Sequence, residues 1–90
     1  MTSEDRIINV VNYVKQHGQP YQRQYQYILN GVIVDEFTYG KTMSSKTIQY
    51  KSDRIVLDQI NGVNKIMWLM SDESLLDTVE NILNDKTRTK

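Results

Sequence analysis

The sequence predicts an α+β domain: an N-terminal helix, an antiparallel sheet of four to five strands, and a C-terminal amphipathic helix. Three observations carry this. Two Asn-Gly pairs, Asn30-Gly31 and Asn61-Gly62, each lie between β-rich runs. Asn-Gly is the pair a two-residue type I′ hairpin turn demands, because both central positions need positive φ, which Asn tolerates and Gly adopts freely. Runs with helical apolar spacing stand before and after this region. Finally, strands joined by such short turns leave no room for parallel crossovers, so the sheet is antiparallel.

The first helix is expected over residues 2–17. Thr2 or Ser3 caps it, Glu4 and Asp5 suit the positive end of its dipole, and Ile7, Ile8, Val11 and Val14 recur at helical spacing. Lys15 and His17 suit its last turn, Gly18 ends it, and Pro20 blocks any continuation. The sheet then occupies 21–70. Residues 21–29 alternate, with Tyr21, Arg23, Tyr25, Tyr27 and Leu29 on one face, and read as the first strand. The first turn sets Leu29 opposite Val32, Tyr27 opposite Val34 and Tyr25 opposite Glu36, in a second strand running to about Tyr39.

Residues 40–45 form a polar loop. Residues 46–51 look extended around Ile48 and Tyr50, with a break or bulge at Ser52-Asp53; a short basic recognition helix over 43–51 is the alternative. Residues 54–60 and a last strand flank the second turn. Its register sets Asp58 opposite Lys65, Leu57 opposite Ile66, Val56 opposite Met67 and Ile55 opposite Trp68, an opposite-charge pair followed by apolar ones. Ser71 or Asp72 caps a helix over 72–84, whose Leu75, Leu76, Val79, Ile82 and Leu83 form one apolar stripe. Residues 85–90 are a charged, frayed tail.

Ninety residues suffice for a single domain, 1–90, that buries roughly 60 to 65% of the unfolded chain's surface. With no cysteine there is no disulfide, thiolate metal site or Cys nucleophile, which suits a reducing cytoplasm. A polar, acidic start and the lack of any apolar run near ~20 residues speak against secretion or membrane insertion. Net charge is zero, so no global attraction to nucleic acid is expected.

Chemical motifs are scarce. Gly40-Lys41-Thr42 echoes a phosphate-binding loop, but Asp35 stands where that motif needs glycine. His17 is the single histidine, and the carboxylate pairs Asp35-Glu36 and Asp72-Glu73 suit opposite strand faces and a helix start better than a shared acid-base site. No enzymatic activity, metal or cofactor is therefore expected.

Surfaces are more informative. Both faces of the sheet look apolar: 66–70 is an unbroken run, and Ile55, Val56 and Leu57 are consecutive. If both helices pack on one side, the other bears an exposed patch drawn from Ile28, Ile33, Phe37, Ile55, Leu57, Ile66 and Trp68. The expectation is a non-enzymatic protein-binding module that masks a surface of a larger protein, in a homodimer or a hetero-complex. Small size and the lack of chemical motifs suit a phage or mobile-element inhibitor, anti-defence or anti-CRISPR-like, that masks a surface of a larger host protein.

Tyr25, Tyr27, Phe37 and Trp68 are the expected anchors, with Arg23, Asp77 and Glu80 as orienting charges. One alternative is a nucleic-acid-binding regulator using Lys41, Lys46, Lys51 and Arg54. The other is a dimer that binds a small ligand or nucleotide in its cleft.

Overall fold

A computed structural model describes residues 2–69 and 74–84. Helix α1 (Ser3–His17) is capped by Thr2, whose hydroxyl accepts the Asp5 N–H at 3.2 Å. Glu4 and Asp5 occupy its first turn and Lys15 and His17 its last, so charge complements the dipole at both ends. Ile7, Val10, Val11 and Val14 are buried. Gly18 ends the helix in ordinary extended backbone, φ −89°, so conformational freedom does not explain the glycine. Proximity does: a Cβ at this position would stand 2.5 Å from the Ile28 carbonyl oxygen and 2.6 Å from that of Val14.

Pressed this closely against residue 28, the chain runs directly into β1 (Gln19–Pro20), which pairs with β2 (Gln26–Leu29). Strands β3 (Val32–Thr38), β4 (Met43–Tyr50), β5 (Asp53–Ile60) and β6 (Val63–Leu69) complete a six-stranded antiparallel sheet ordered as in sequence. Both Asn-Gly turns form as expected, with φ of 51° and 83° at Asn30 and Gly31 and 53° and 80° at Asn61 and Gly62. The registers they impose are Leu29 with Val32, Tyr27 with Val34, and Asp58, Leu57, Val56 and Ile55 with Lys65, Ile66, Met67 and Trp68.

Three details differ from the sequence reading. The sheet has one strand more than the highest expected number, because β1 adds an edge before Tyr21. The alternation over 21–29 is not one strand: Tyr25 has φ 63°, β2 begins at Gln26, and Tyr25 does not pair with Glu36. The Gln26 side chain explains the break, since its Oε1 accepts the Gln22 N–H at 3.1 Å and closes a loop where a straight strand was expected. Finally, β4 starts at Met43 and turns at Lys51 (φ 56°) and Ser52 so that Tyr50 pairs with Asp53. Residues 43–51 are therefore strand and turn; they form neither a recognition helix nor a strand interrupted by a bulge.

Helix α2 (Ser74–Asn84) buries the expected stripe of Leu75, Leu76, Val79, Ile82 and Leu83. Its expected caps Ser71 and Asp72, the end of the apolar run at Met70, and the tail 85–90 lie outside the described residues. Both helices cover the same face. Ile7, Val11 and Val14 of α1 and Leu76 and Val79 of α2 share one core with Val32, Val34, Ile48, Ile55 and Leu57, all completely or nearly completely buried. Cross-strand pairing puts Tyr27, Val34, Ile48, Ile55 and Trp68 in one row across that face.

Two polar clamps fix the helices. The Arg6 guanidinium bonds both Glu80 oxygens, at 2.6 and 3.1 Å, and Asp77 at 2.6 Å, tying α1 to α2. Glu80 first and then Asp77 hold the guanidinium firmly protonated. At the other end of α1, Lys15 donates to Glu36 on β3, and Lys46 on β4 reaches the same carboxylate at 3.3 Å. The Lys15 hydrogen bond, helped by Lys46, outweighs partial burial and lowers the Glu36 pKa below the usual carboxylate value.

Candidate binding face

Strand alternation dictates what the uncovered face carries. With Val34, Ile48, Ile55 and Trp68 turned toward the helices, their neighbours Asp35, Thr47, Val56 and Met67 form the matching row on the opposite side, continued by Gln26. Among the described residues no helix lies on this side. Gln26, Asp35, Ser45, Thr47 and Val56 are nevertheless buried there. They are mostly short side chains in the middle of the sheet, and the 21–25 loop folds back over one end of the row.

Arg23 carries that loop onto the sheet. Its guanidinium lies 5.5 Å from the centroid of the Phe37 ring and 3.4 Å from Asp35 Oδ2. The same carboxylate oxygen accepts the Gln26 Nε2–H at 3.2 Å. Gln26 thus holds the loop backbone with one end of its amide and the strand with the other. Asp35 Oδ1 is buried without a hydrogen-bond partner among the described residues. Burying that oxygen costs stability, so the network ranks as a positioning device for Arg23 more than as a source of stability. Phe37 also stacks on Tyr39, with centroids 6.2 Å apart. Tyr25 and Tyr39 are 58% and 63% exposed, and Tyr25, Phe37, Glu36 and Thr38 line an open hollow of about 410 Å³ at the end of β3.

Two of the expected anchors, Tyr25 and Phe37, and one of the expected orienting charges, Arg23, therefore converge on one corner. The others do not. Tyr27 and Trp68 lie on the helix-covered face, half-buried against the core. Asp77 and Glu80 sit on α2 and are engaged by Arg6. Of the patch expected on the bare face, Ile28, Ile33 and Phe37 are there, whereas Ile55, Leu57, Ile66 and Trp68 face the helices.

Comparison with protein-family models, curated proteins and solved structures finds no match.

The expected basic segment is dispersed. Lys41 lies in the loop before β4, Lys46 is bound to Glu36 under the helices, Lys51 stands 5.3 Å over the Tyr50 ring at the far hairpin tip, and Arg54 is on the bare face. Such an arrangement makes no continuous phosphate track. His17 packs on Tyr13 with centroids 4.4 Å apart, and no group of three or more His, Cys, Asp or Glu among the described residues could hold a metal. Among the described residues no helix is long and apolar enough to cross a membrane.

Two features escaped sequence reasoning. The Gln26–Asp35 pair looks like solvated strand polarity, and only the tertiary fold of the loop buries it. The second is an apolar strip along the far side of the bare face. Met43, Ile60, Val63, Met67 and Leu69 are each between 39% and 60% exposed. The hairpin registers already group these residues by parity, but which parity the helices cover is undetermined where both are apolar.

Proposed function

We propose that this is a non-enzymatic protein-binding module that covers a surface of a larger protein, as an inhibitor or adaptor does, with the uncovered sheet face as its contact surface. One observation supports the reading: a corner of exposed Tyr25 and Tyr39 beside half-buried Phe37, with Arg23 in contact with both Phe37 and Asp35. Arg23 bridges the Phe37 ring and Asp35 with more than half of its side chain in solvent, and Tyr25 and Tyr39 are likewise more than half exposed. Tyr, Phe and Arg on a rigid support are what hot spots of protein interfaces use, because little side-chain entropy remains to be lost on binding. The hollow beside Tyr25 is open and shallow, better suited to a protruding side chain of a partner than to an enclosed substrate.

Site-specific photo-crosslinking in cells tests this. A photoreactive residue at position 25 or 39 is expected to give discrete protein adducts, while one at Tyr13, on the helix side, gives none. The double variant Tyr25→Ala/Phe37→Ala should abolish adducts from position 39 with the thermal transition retained. Adducts from position 13 alone, or adducts indifferent to the double variant, would refute the assignment.

A further inference from the structure

The two edges of the sheet are unlike. Edge β1 has two residues, one of them Pro20, and is thereby blunted against further pairing. Edge β6 is seven residues long, without proline, with Lys65 as its one charge and with Val63, Met67 and Leu69 exposed at 60%, 46% and 43%. Lys65, paired across the ladder with Asp58, is the one protective device along β6 among the described residues. From this edge we infer that the protein forms a two-fold symmetric dimer in which β6 pairs antiparallel with β6 of a second copy.

Backbone alternation sets the register. Ile60 and Val63 flank the two-residue turn and form its closing hydrogen-bonded pair. Every second residue from there, Val63, Lys65, Met67 and Leu69, directs its N–H and C=O toward β5. Consistently, the next residue of the turn, Asn61, points the other way and donates to the Thr42 carbonyl at 2.8 Å. Asn64, Ile66 and Trp68 accordingly present their N–H and C=O groups outward. A two-fold axis at Ile66 sets Asn64 opposite Trp68 of the second copy and Ile66 opposite Ile66, and every one of those groups gains a partner.

The side chains agree with this register. On the bare face Val63 meets Leu69 and Lys65 meets Met67, while Ile66 meets its own copy on the helix side. The two Lys65 are held to diagonal positions, each beside Asp58 of its own chain. Such an interface is isologous and closes on itself, so it yields a discrete dimer and no fibre. The bare faces of the two copies merge into one surface of twice the width. This inference depends on β6 alone and stands or falls independently of the aromatic corner.

Light scattering on a sizing column, with the full chain at low and high micromolar concentration, tests it through a charge swap at the register position. The unaltered protein is expected to have the mass of two chains at the higher concentration. Met67→Lys places like charges opposite Lys65 of the second copy and is expected to halve the mass, whereas Met67→Glu places opposite charges there and is expected to keep the dimer. Far-UV circular dichroism verifies that each variant is folded. Should Met67→Lys fail to fold, Asn64→Pro serves instead, since it removes an outward N–H that β5 does not use, and it is also expected to halve the mass. A monomer at both concentrations overturns the proposal, as does equal dissociation, or equal persistence, of the two Met67 variants.

Discussion

Gly18→Ala tests how the chain enters the sheet. The backbone angle suits alanine, so no conformational strain arises. The added methyl group would nonetheless lie 2.5 Å from the Ile28 carbonyl oxygen and 2.6 Å from the Val14 oxygen, with the Ile28 carbonyl carbon at 3.1 Å. These are backbone atoms and cannot rotate away. Either the end of α1 or the β1–β2 ladder must shift by several tenths of an ångström. Forced overpacking of this kind costs about 1–3 kcal/mol. The smaller entropy of the unfolded alanine chain returns about 0.4–1 kcal/mol. The net expectation is a loss of about 1–2 kcal/mol, which in a domain of this size lowers the melting temperature by about 4–16 °C. Urea and thermal unfolding followed by circular dichroism measure this, and amide hydrogen exchange should show the loss concentrated at 19–20 and 27–28. A variant within about 0.5 kcal/mol of the parent protein would refute the claim that residue 18 is pressed between these two carbonyls.

Glu36 makes stability depend on pH. Its folded pKa is lowered chiefly by Lys15, so its contribution is full above the unfolded value, near 4.5, and disappears as pH falls through the lower folded value. Melts from pH 7 to pH 3 should show Glu36→Gln less stable at neutral pH yet with a shallower decline below pH 4.5; parallel curves would remove Glu36 as the cause. Gly31→Ala and Gly62→Ala both force alanine into left-handed backbone, at φ 83° and 80°. Each should cost about 1–2 kcal/mol although only Gly31 has a neighbour, Tyr50 at 3.5 Å, within contact distance; a loss at Gly31 alone would point to contact in place of strain. Arg6→Ala should lower stability by about 1 kcal/mol, the scale of partly exposed ion pairs. The difference from the parent should shrink in high salt, and a salt-independent loss would assign the effect to packing.

Sequence reasoning succeeded where chemistry is local. An Asn-Gly turn of two residues sets both reversal and register, which is why the pairings of Val56 with Met67 and Tyr27 with Val34 were legible. The turn at Lys51-Ser52 has equally tight geometry but lacks that residue signature. Alternation alone does not locate Tyr25, because Gln22, Gln26 and Asp35 bend the chain through side-chain hydrogen bonds. Trp68 lies within a run, Ile66 to Leu69, that is apolar at every position, so alternation alone assigns it no face; the docking of α2 beside α1 determines that Trp68 turns inward and Met67 outward. For the same reason the acidic residues of α2 looked free. Their partner, Arg6, lies at the other end of the chain.

That separation bears on how the molecule folds. Each strand meets only its neighbours in sequence, so the sheet can zip up through successive short loops at little entropic cost. Closing α2 onto α1 is different, because Arg6 and Glu80 are 74 residues apart. Contact separation therefore predicts that the sheet forms first and the helix clamp engages after it. Loss of the clamp is then expected to accelerate unfolding and leave the folding rate nearly unchanged, so Arg6 governs how long the native molecule persists more than how quickly it forms.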